Sequence, residues 1–387
     1  MKIVHIAPNS PYNDYWGYQD NLLPKYQKKL GHDVTIIVPN LMHKDGKIVK
    51  TDCGEHVLND GVKVIRLPYK KYFSHTFTGW NSRLKGVYTL LKELTPDFIF
   101  FHGLISTTIF DAIKYKKMCN QKCSIVQDNH QDYNNTKLTG NGVKDFLVRT
   151  WYRIKNRRSI KYIDKVYGVT PFRATFAKEY FKIPAHKVDV LYMGADDENI
   201  SFQNKIEIRN SVRENHGIQD VDFLITTGGK IERTKNIQLL MQAIIELNRN
   251  DLKLIVFGQP DEEMSPIINQ LSNNSHIRNI GWVNSSKVYD YFLASDLVVF
   301  PGTHSVLWEQ AAACGIPLLV KNWDGMHHLD VGGNCLFLQK DSVEEIKDKI
   351  MQIYNNKDLY QHMKNIAIEK GIKAFSYTEI AKRSIKE

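Results

Sequence analysis

Residues 297–320 read LVVFPGTHSVLWEQAAACGIPLLV. An apolar run, LVVF, meets a Pro-Gly step and a small polar loop. A short helix of small residues follows, carrying one carboxylate, Glu309, and then a second buried run, IPLLV. Two apolar strands joined through a helix are the repeating unit of a parallel sheet, because parallel neighbours need a crossover. Ala311, Ala312, Ala313 and Gly315 let that helix lie close to the sheet, which carries its N-terminus out to the loop. The same alternation runs upstream through DFLITTGG, LKLIVFG and IRNIGWV, and downstream to CLFL. It also fills the first half of the chain, where KIVHIAP, DVTIIVP, VKVIRLP, FIFFHG, SIVQD, KVYGVT and VDVLYMG alternate with helical stretches such as Asn21–Leu30 and Asn81–Leu94. The fold class predicted is α/β, with two doubly wound Rossmann-like domains. Their boundary falls near residues 196–215, where DDENISFQNKIEIRNSVRENHG loses its hydrophobic period. The expected division is 1–196, 197–370 and a C-terminal helix, 371–387, returning to the first domain.

With 387 residues, 42% hydrophobic and 24% charged, the chain can bury two cores, and wholesale disorder is excluded. No window holds the roughly 18 consecutive apolar residues of a membrane span. MKIVHIAP begins as a strand and not as a secretory leader. Five cysteines without a paired CxxC spacing read as reduced thiols, so a cytoplasmic location is expected. Charge is uneven: residues 1–196 carry a net +14 and residues 197–387 a net −4. An anionic partner for the first half follows. Within it, KDFLVRTWYRIKNRRSIKYI, residues 144–163, places Arg149, Arg153, Arg157 and Arg158 among Trp151 and other apolar residues at helical spacing. This is the composition of a segment that binds an anionic bilayer or an acceptor carried on it, and YKKYFSHTFTGW, residues 69–80, is a second candidate. No nucleic-acid recognition motif accompanies the charge, so peripheral attachment to the inner face of the cell membrane is the expectation.

Ligands of open parallel sheets sit outside the carboxyl ends of the strands. Three such loops stand out. Gly17 opens the first helix. Gly228 and Gly229 end a strand and are followed by Lys230 and Lys235, a glycine turn with two cations at a helix entrance that suits a diphosphate. An ordinary strand-to-helix turn with surface lysines has the same composition. In the third loop, Glu309 can accept two hydrogen bonds from a vicinal diol such as a ribose while the amides of Ser305, Val306 and Leu307 face phosphate; a glutamate also simply favours a first helical turn. No Asp-x-Asp follows a strand, and the adjacent His327 and His328 point apart, so neither metal nor cofactor is expected.

Taken together, DYWGYQDNLLPKYQKKLGHDVTIIVP, PDFIFFHG, VQDNHQDY, the run ending in LYMGAD, GGKIERTKN, IRNIGWVNSSKVYDYFLASDLVVFPG and LWEQAAACGIPLLV resemble the GT-B glycosyltransferases, most closely retaining family 4. The resemblance covers nearly the whole chain and implies two domains facing across a cleft. It implies that Lys230 and Lys235 neutralise a donor diphosphate, that Gly17 and Gly229 approach the phosphates, that Glu309 holds the ribose, that the backbone of Trp282 and Val283 meets the base, and that His130 lies near the transferred sugar. One feature departs from the family's Glu-x7-Glu motif: its first position is Pro301, the loop is shorter, and His304 or Ser305 is the nearest polar substitute. The shortened loop somewhat resembles that of inverting GT-B enzymes, and the other segments favour retention. The implied reaction moves a sugar from a nucleotide-diphosphate sugar, UDP-sugar first, to a saccharide or lipid-linked saccharide in bacterial surface glycan assembly. An epimerase or phosphorylase on the same scaffold, and a non-catalytic sugar-nucleotide-binding module, are the alternatives.

Overall fold

The computed structural model describes residues 1–44, 46–72, 79–136 and 142–385. The chain divides into two compact units, Met1–Tyr192 with Ala381–Glu387, and Met193–Ile380.

In the first unit, β-branched and aromatic runs form β1 (Lys2–Ile6), β2 (Asp33–Pro39), β3 (Leu41–Lys44), β4 (Lys47–Lys50), β5 (Gly54–Val57), β6 (Lys63–Leu67), β7 (Phe98–Phe101), β8 (Ser124–Asn129), β9 (Lys165–Gly168) and β10 (Val188–Val190). The main sheet has the order β10-β9-β8-β7-β1-β2-β6-β5. It is parallel except at β5, which runs antiparallel to β6 on the edge. Strands covered on both faces read as continuous apolar runs. Accordingly, all of FIFF in β7 is buried. The helices that place functional side chains are α1 (Gln19–Lys29), α2 (Ile109–Met118) and α3 (Val143–Ser159). Ile6, Ile37, Leu91, Ile99, Phe101, Ile125, Val166 and Phe176 form the core of this unit.

The second unit contains β11 (Phe223–Gly228), β12 (Leu252–Phe257), β13 (Ile277–Gly281), β14 (Leu297–Phe300), β15 (Leu318–Lys321) and β16 (Cys335–Leu338), ordered β13-β12-β11-β14-β15-β16 and parallel throughout. Helix α4 (Ile237–Leu247) follows β11, and α5 (Leu307–Ala313) follows β14. The chain ends in α6 (Tyr377–Ser384), whose last residues, from Ala381, belong to the first unit.

In each sheet the order of strand addition switches sides at the centre, between β7 and β1 and between β11 and β14, while the strands there stay parallel. Such switch points leave a crevice between the loops at the carboxyl ends of the central strands.

Three features differ from the sequence reading. The hairpin β3–β4 and the edge strand β5 are additional; β5, GEHV, is exposed at all four positions and so has no hydrophobic period to read. The stretch read as an irregular boundary contains a helix, Lys205–Asn215. Its one fully buried residue is Arg213, 1% exposed, which donates to the carbonyls of Gln219 and Asp222 and to Asp296 Oδ2 over 2.5 Å. A buried guanidinium satisfied in this way anchors a helix whose apolar packing is slight, Val212 being its half-buried contact with the core.

Candidate active site

At the switch point of the second unit, the loops after β11 and β14 are packed backbone to backbone. Gly229 has φ +113°, a left-handed conformation that favours glycine. A Cβ on Gly258, at φ +126°, would lie 1.8 Å from the Gly229 carbonyl oxygen, and one on Gly302 would lie 2.3 Å from the Thr234 oxygen. Thr303 N donates to Thr234 O over 2.9 Å. Lys235 Nζ donates to Thr303 O at 2.9 Å and His304 O at 3.0 Å. Lys235 thus holds the β14 loop with two of its three donors. Burial lowers its pKa. Lys230 is different: its side chain is 72% exposed and pairs with Glu232 Oε2 at 2.7 Å, a weak surface contact from which it can move to a ligand.

Glu309, in the first turn of α5, is fully buried. His304 Nε2 lies 2.9 and 3.0 Å from its two oxygens, and His328 Nε2 lies 2.9 Å from Oε1. A carboxylate only accepts, so both Nε2 atoms carry protons. Burial alone would raise the Glu309 carboxyl, but the charge and hydrogen bond of His304, with those of His328, hold it at about 2. Trp308 packs edge-on to His304, with ring centroids 5.2 Å apart. A diol would have to displace an imidazole to reach Glu309; the polar side chain of this pair that reaches the surface is His304, 12% exposed. Ser305, Val306 and Leu307 are half-buried at the start of α5. Trp282, 69% exposed, and half-buried Val283 follow β13, whose last residue, Gly281, accepts from Gly258 N over 2.6 Å.

In the first unit, His130 follows β8 and Gly17 precedes α1. His130 belongs to a buried relay whose directions follow from its far end. Ser384 Oγ donates to Ala381 O and therefore accepts from Gln27 Nε2, over 2.9 Å. The Gln27 amide is thereby oriented, and its Oε1 accepts from His5 Nε2 over 2.7 Å. His5 Nδ1 is then the bare nitrogen and accepts from His102 Nε2 over 3.0 Å. His102 Nδ1 in turn donates to Asp128 Oδ2 over 2.7 Å. Burial holds His5 neutral, with a pKa lowered to about 3. Burial would also lower His102, yet the Asp128 carboxylate overrules it and raises the group. His102 is an imidazolium that donates at both nitrogens. Asp128 further accepts from Gly103 N at 2.8 Å and from His130 Nε2 at 3.2 Å. With Nε2 committed, Nδ1 is the ring nitrogen of His130 that has no partner among the described residues. Asp20, in the first turn of α1, is raised by burial against the opposing charges of His102 and His130. Sequence reasoning found His130 and missed His5, Asp20, Gln27, His102 and Asp128. The available signal was a lone polar residue inside an apolar run, as in KIVHI and FFHG.

The profile described as Glycosyltransferase Family 4 matches residues 22–199, and that of Glycosyl transferases group 1 matches residues 208–370. Between them they run through most of both units. The chain belongs to the GT-B glycosyltransferases of the family 4 type. This glycosyltransferase is 25% identical over 219 residues to an uncharacterized glycosyltransferase of Methanocaldococcus jannaschii, a match covering 53% of this chain and 54% of that one. It is also 25% identical over 138 residues to the D-inositol 3-phosphate glycosyltransferase of Pseudarthrobacter chlorophenolicus, covering 30% and 31%. The matched stretch spans about half or less of the length of these curated relatives. Among solved structures, a glycosyltransferase from Rickettsia africae superposes with a TM-score of 0.71 at 15% identity, covering 99% of this chain and 97% of that one. Anabaena HepE, in complex with UDP and glucose, superposes at 0.65 and 13% identity, covering 99% and 98%. These likenesses establish the fold.

The basic helix of the glycosyltransferase is α3, running as far as Ser159 and continued by a 3-10 turn to Tyr162. Val143, Phe146, Leu147 and Ile154 are its exposed apolar residues, and Arg157 and Arg158 are exposed near its end. Trp151 packs against the core, Arg149 lies over the Phe146 ring, and Arg153 Nε is held by Tyr180 O at 2.7 Å. Of the second basic segment, residues 73–78 lie outside the described residues. No helix among the described residues is long and apolar enough to cross a membrane.

Proposed function

We propose that the enzyme transfers a hexose from a nucleotide-diphosphate sugar, with UDP as the favoured nucleotide, to a lipid-linked saccharide, with retention and without a metal. The observation that carries this reading is the joining of the β11 and β14 loops through Lys235 at the switch point, beside exposed Lys230. As the glycosidic bond to phosphate breaks, charge grows on the leaving diphosphate. Lys230, the remaining donor of Lys235 and the amides of Ser305, Val306 and Leu307 are the preorganised groups that meet it. Glu309 acts on the nucleotide through His304, which it keeps protonated at Nε2 and oriented. Trp282 and Val283 take the base, and Gly17 and His130 serve the sugar. The UDP complexes of Anabaena HepE support the choice of base. The net +14 of residues 1–196 and the exposed apolar and basic residues of α3 support an acceptor held at an anionic membrane surface. A neighbour of the same fold, WaaG, is a glycosyltransferase involved in lipopolysaccharide biosynthesis, which supports a place in bacterial surface glycan assembly.

A thermal-shift panel of UDP, GDP and ADP tests the donor. A ligand at 100 times its Kd stabilises by about 2.7 kcal/mol. UDP is expected to give the largest shift, and no shift with any of the three removes the proposal.

A further inference from the structure

On α3 the expected order of burial is inverted at two adjacent positions. Ile154 is 42% exposed, while Lys155 is buried at 3%. Lys155 Nζ has three donors, and among the described residues one is used, on the Leu104 carbonyl at 2.5 Å. Burial pushes its pKa down to about 7. An ammonium buried with a single neutral partner is expensive unless something else compensates it.

What lies beside it is a cavity of about 190 Å3, lined by Arg83, Thr107, Phe110, Trp151, Lys155 and Arg158 among others. Trp151, Lys155 and Arg158 share one helix face by their spacing. The charges around the cavity do not cancel. Arg83 is neutralised by Asp111, through Nη2 to Oδ1 at 2.7 Å and Nε to Oδ2 at 3.2 Å. Lys155 has no carboxylate, and Arg158 makes no ion pair among the described residues. Arg158, and Lys155 in its protonated form, thus meet in a recess with aromatic walls, where charge-assisted hydrogen bonds are strong and an anion would favour the charged lysine. An adjoining depression of about 680 Å3 shares Ile154 and Arg158 and adds Arg157, Lys161 and Tyr162.

We propose that this cavity of the first unit is a phosphate site, in which Lys155 and Arg158 hold the phosphate of a lipid headgroup or of a soluble phosphomonoester. The site is separate from the diphosphate loops of the second unit, and its test does not depend on them.

The full chain is compared with Lys155→Met and Arg158→Gln by flotation with phosphatidylcholine vesicles with and without phosphatidic acid, and by titration with glycerol phosphate. Lys155→Met removes the buried charge without opening a void; if it does not fold, exposed Arg158→Gln still carries the test. Lys178→Gln, exposed on a different helix of the same unit and far from α3 in sequence, removes an equal charge as a control. Wild type is expected to bind phosphatidic acid vesicles, and each cavity variant to bind roughly tenfold or more weakly, the loss typical of a charged hydrogen bond. Glycerol phosphate binding with the same sensitivity assigns the site to soluble phosphomonoesters. Vesicle binding that glycerol phosphate does not mimic assigns it to lipid. The proposal is overturned if wild type binds neither probe, if the cavity variants bind like wild type, or if Lys178→Gln weakens binding as much as they do.

Discussion

Lys235 Nζ donates to the carbonyl oxygen of His304 over 3.0 Å, so the cation assigned to the diphosphate is also the clamp that shapes the loop around it. Lys230, exposed and paired with Glu232, has no such second role. Lys235→Ala is expected to lower transfer by about 100-fold or more and also to lower the melting temperature. Lys230→Ala is expected to lower transfer comparably with the melting temperature unchanged. Initial rates and thermal unfolding of the two variants separate the roles; equal melting temperatures would show that the Lys235 clamp contributes nothing.

Gly258→Ala tests the loop packing without touching charge. Its Cβ would meet the Gly229 oxygen at 1.8 Å, in a backbone conformation that side chains rarely adopt. A loss of about 1–3 kcal/mol in denaturant unfolding is expected, with weakened nucleotide binding. An unaltered midpoint would mean that the two loops can separate freely.

The buried carboxylate Glu309 sets an acid limit. Its folded pKa of about 2 lies below the ordinary 4.5, so the stabilisation it contributes is present above about 4.5 and is lost as pH falls toward about 2. Glu309→Gln is expected to flatten the fall of unfolding free energy across that window, measured by urea titration at successive pH values. It should also weaken UDP binding, because His304 then faces a neutral amide with one accepting oxygen in place of a carboxylate.

The His102 imidazolium is expected to show protons on both ring nitrogens at neutral pH by nitrogen NMR, and the signature should vanish in Asp128→Asn. The folded pKa of His102 is raised, so its contribution to stability is present below the unfolded value and is lost as pH rises through the folded one. At the other end of the relay, Ser384→Ala strands the buried Gln27 amide donor and is expected to cost about 1–3 kcal/mol.

Both sheets were legible because strands covered on two faces are written as apolar runs, and of the strands from DFLITTGG to CLFL only the edge strand IRNIG, with one buried position, was found from the alternation instead. Exposed β5 and the helix anchored by Arg213 carry no such run and were not found. The glycine and lysine loop of the second unit was visible as composition, since its geometry needs particular residues. The use of Glu309 was not: its partner His328 lies nineteen residues on, and only the folded chain brings the two together. The relay from Ser384 to His130 draws on five separate segments, a convergence that no spacing records.

Metal independence is testable by chelation. Among the described residues, His102, Asp128 and His130 have donor atoms within 4.8 Å of one another, the arrangement a divalent ion would need. In the folded chain, hydrogen bonds at 2.7 and 3.2 Å join them through protons. Transfer is expected to survive dialysis against EDTA at an unchanged rate; loss of activity restored by one divalent ion would assign that group to a metal.

The most direct measurement is a crystal structure of the protein with UDP. The account expects the diphosphate within hydrogen-bonding distance of Lys230 Nζ, Lys235 Nζ and the amides of residues 305–307. A nucleotide bound away from these groups would contradict it.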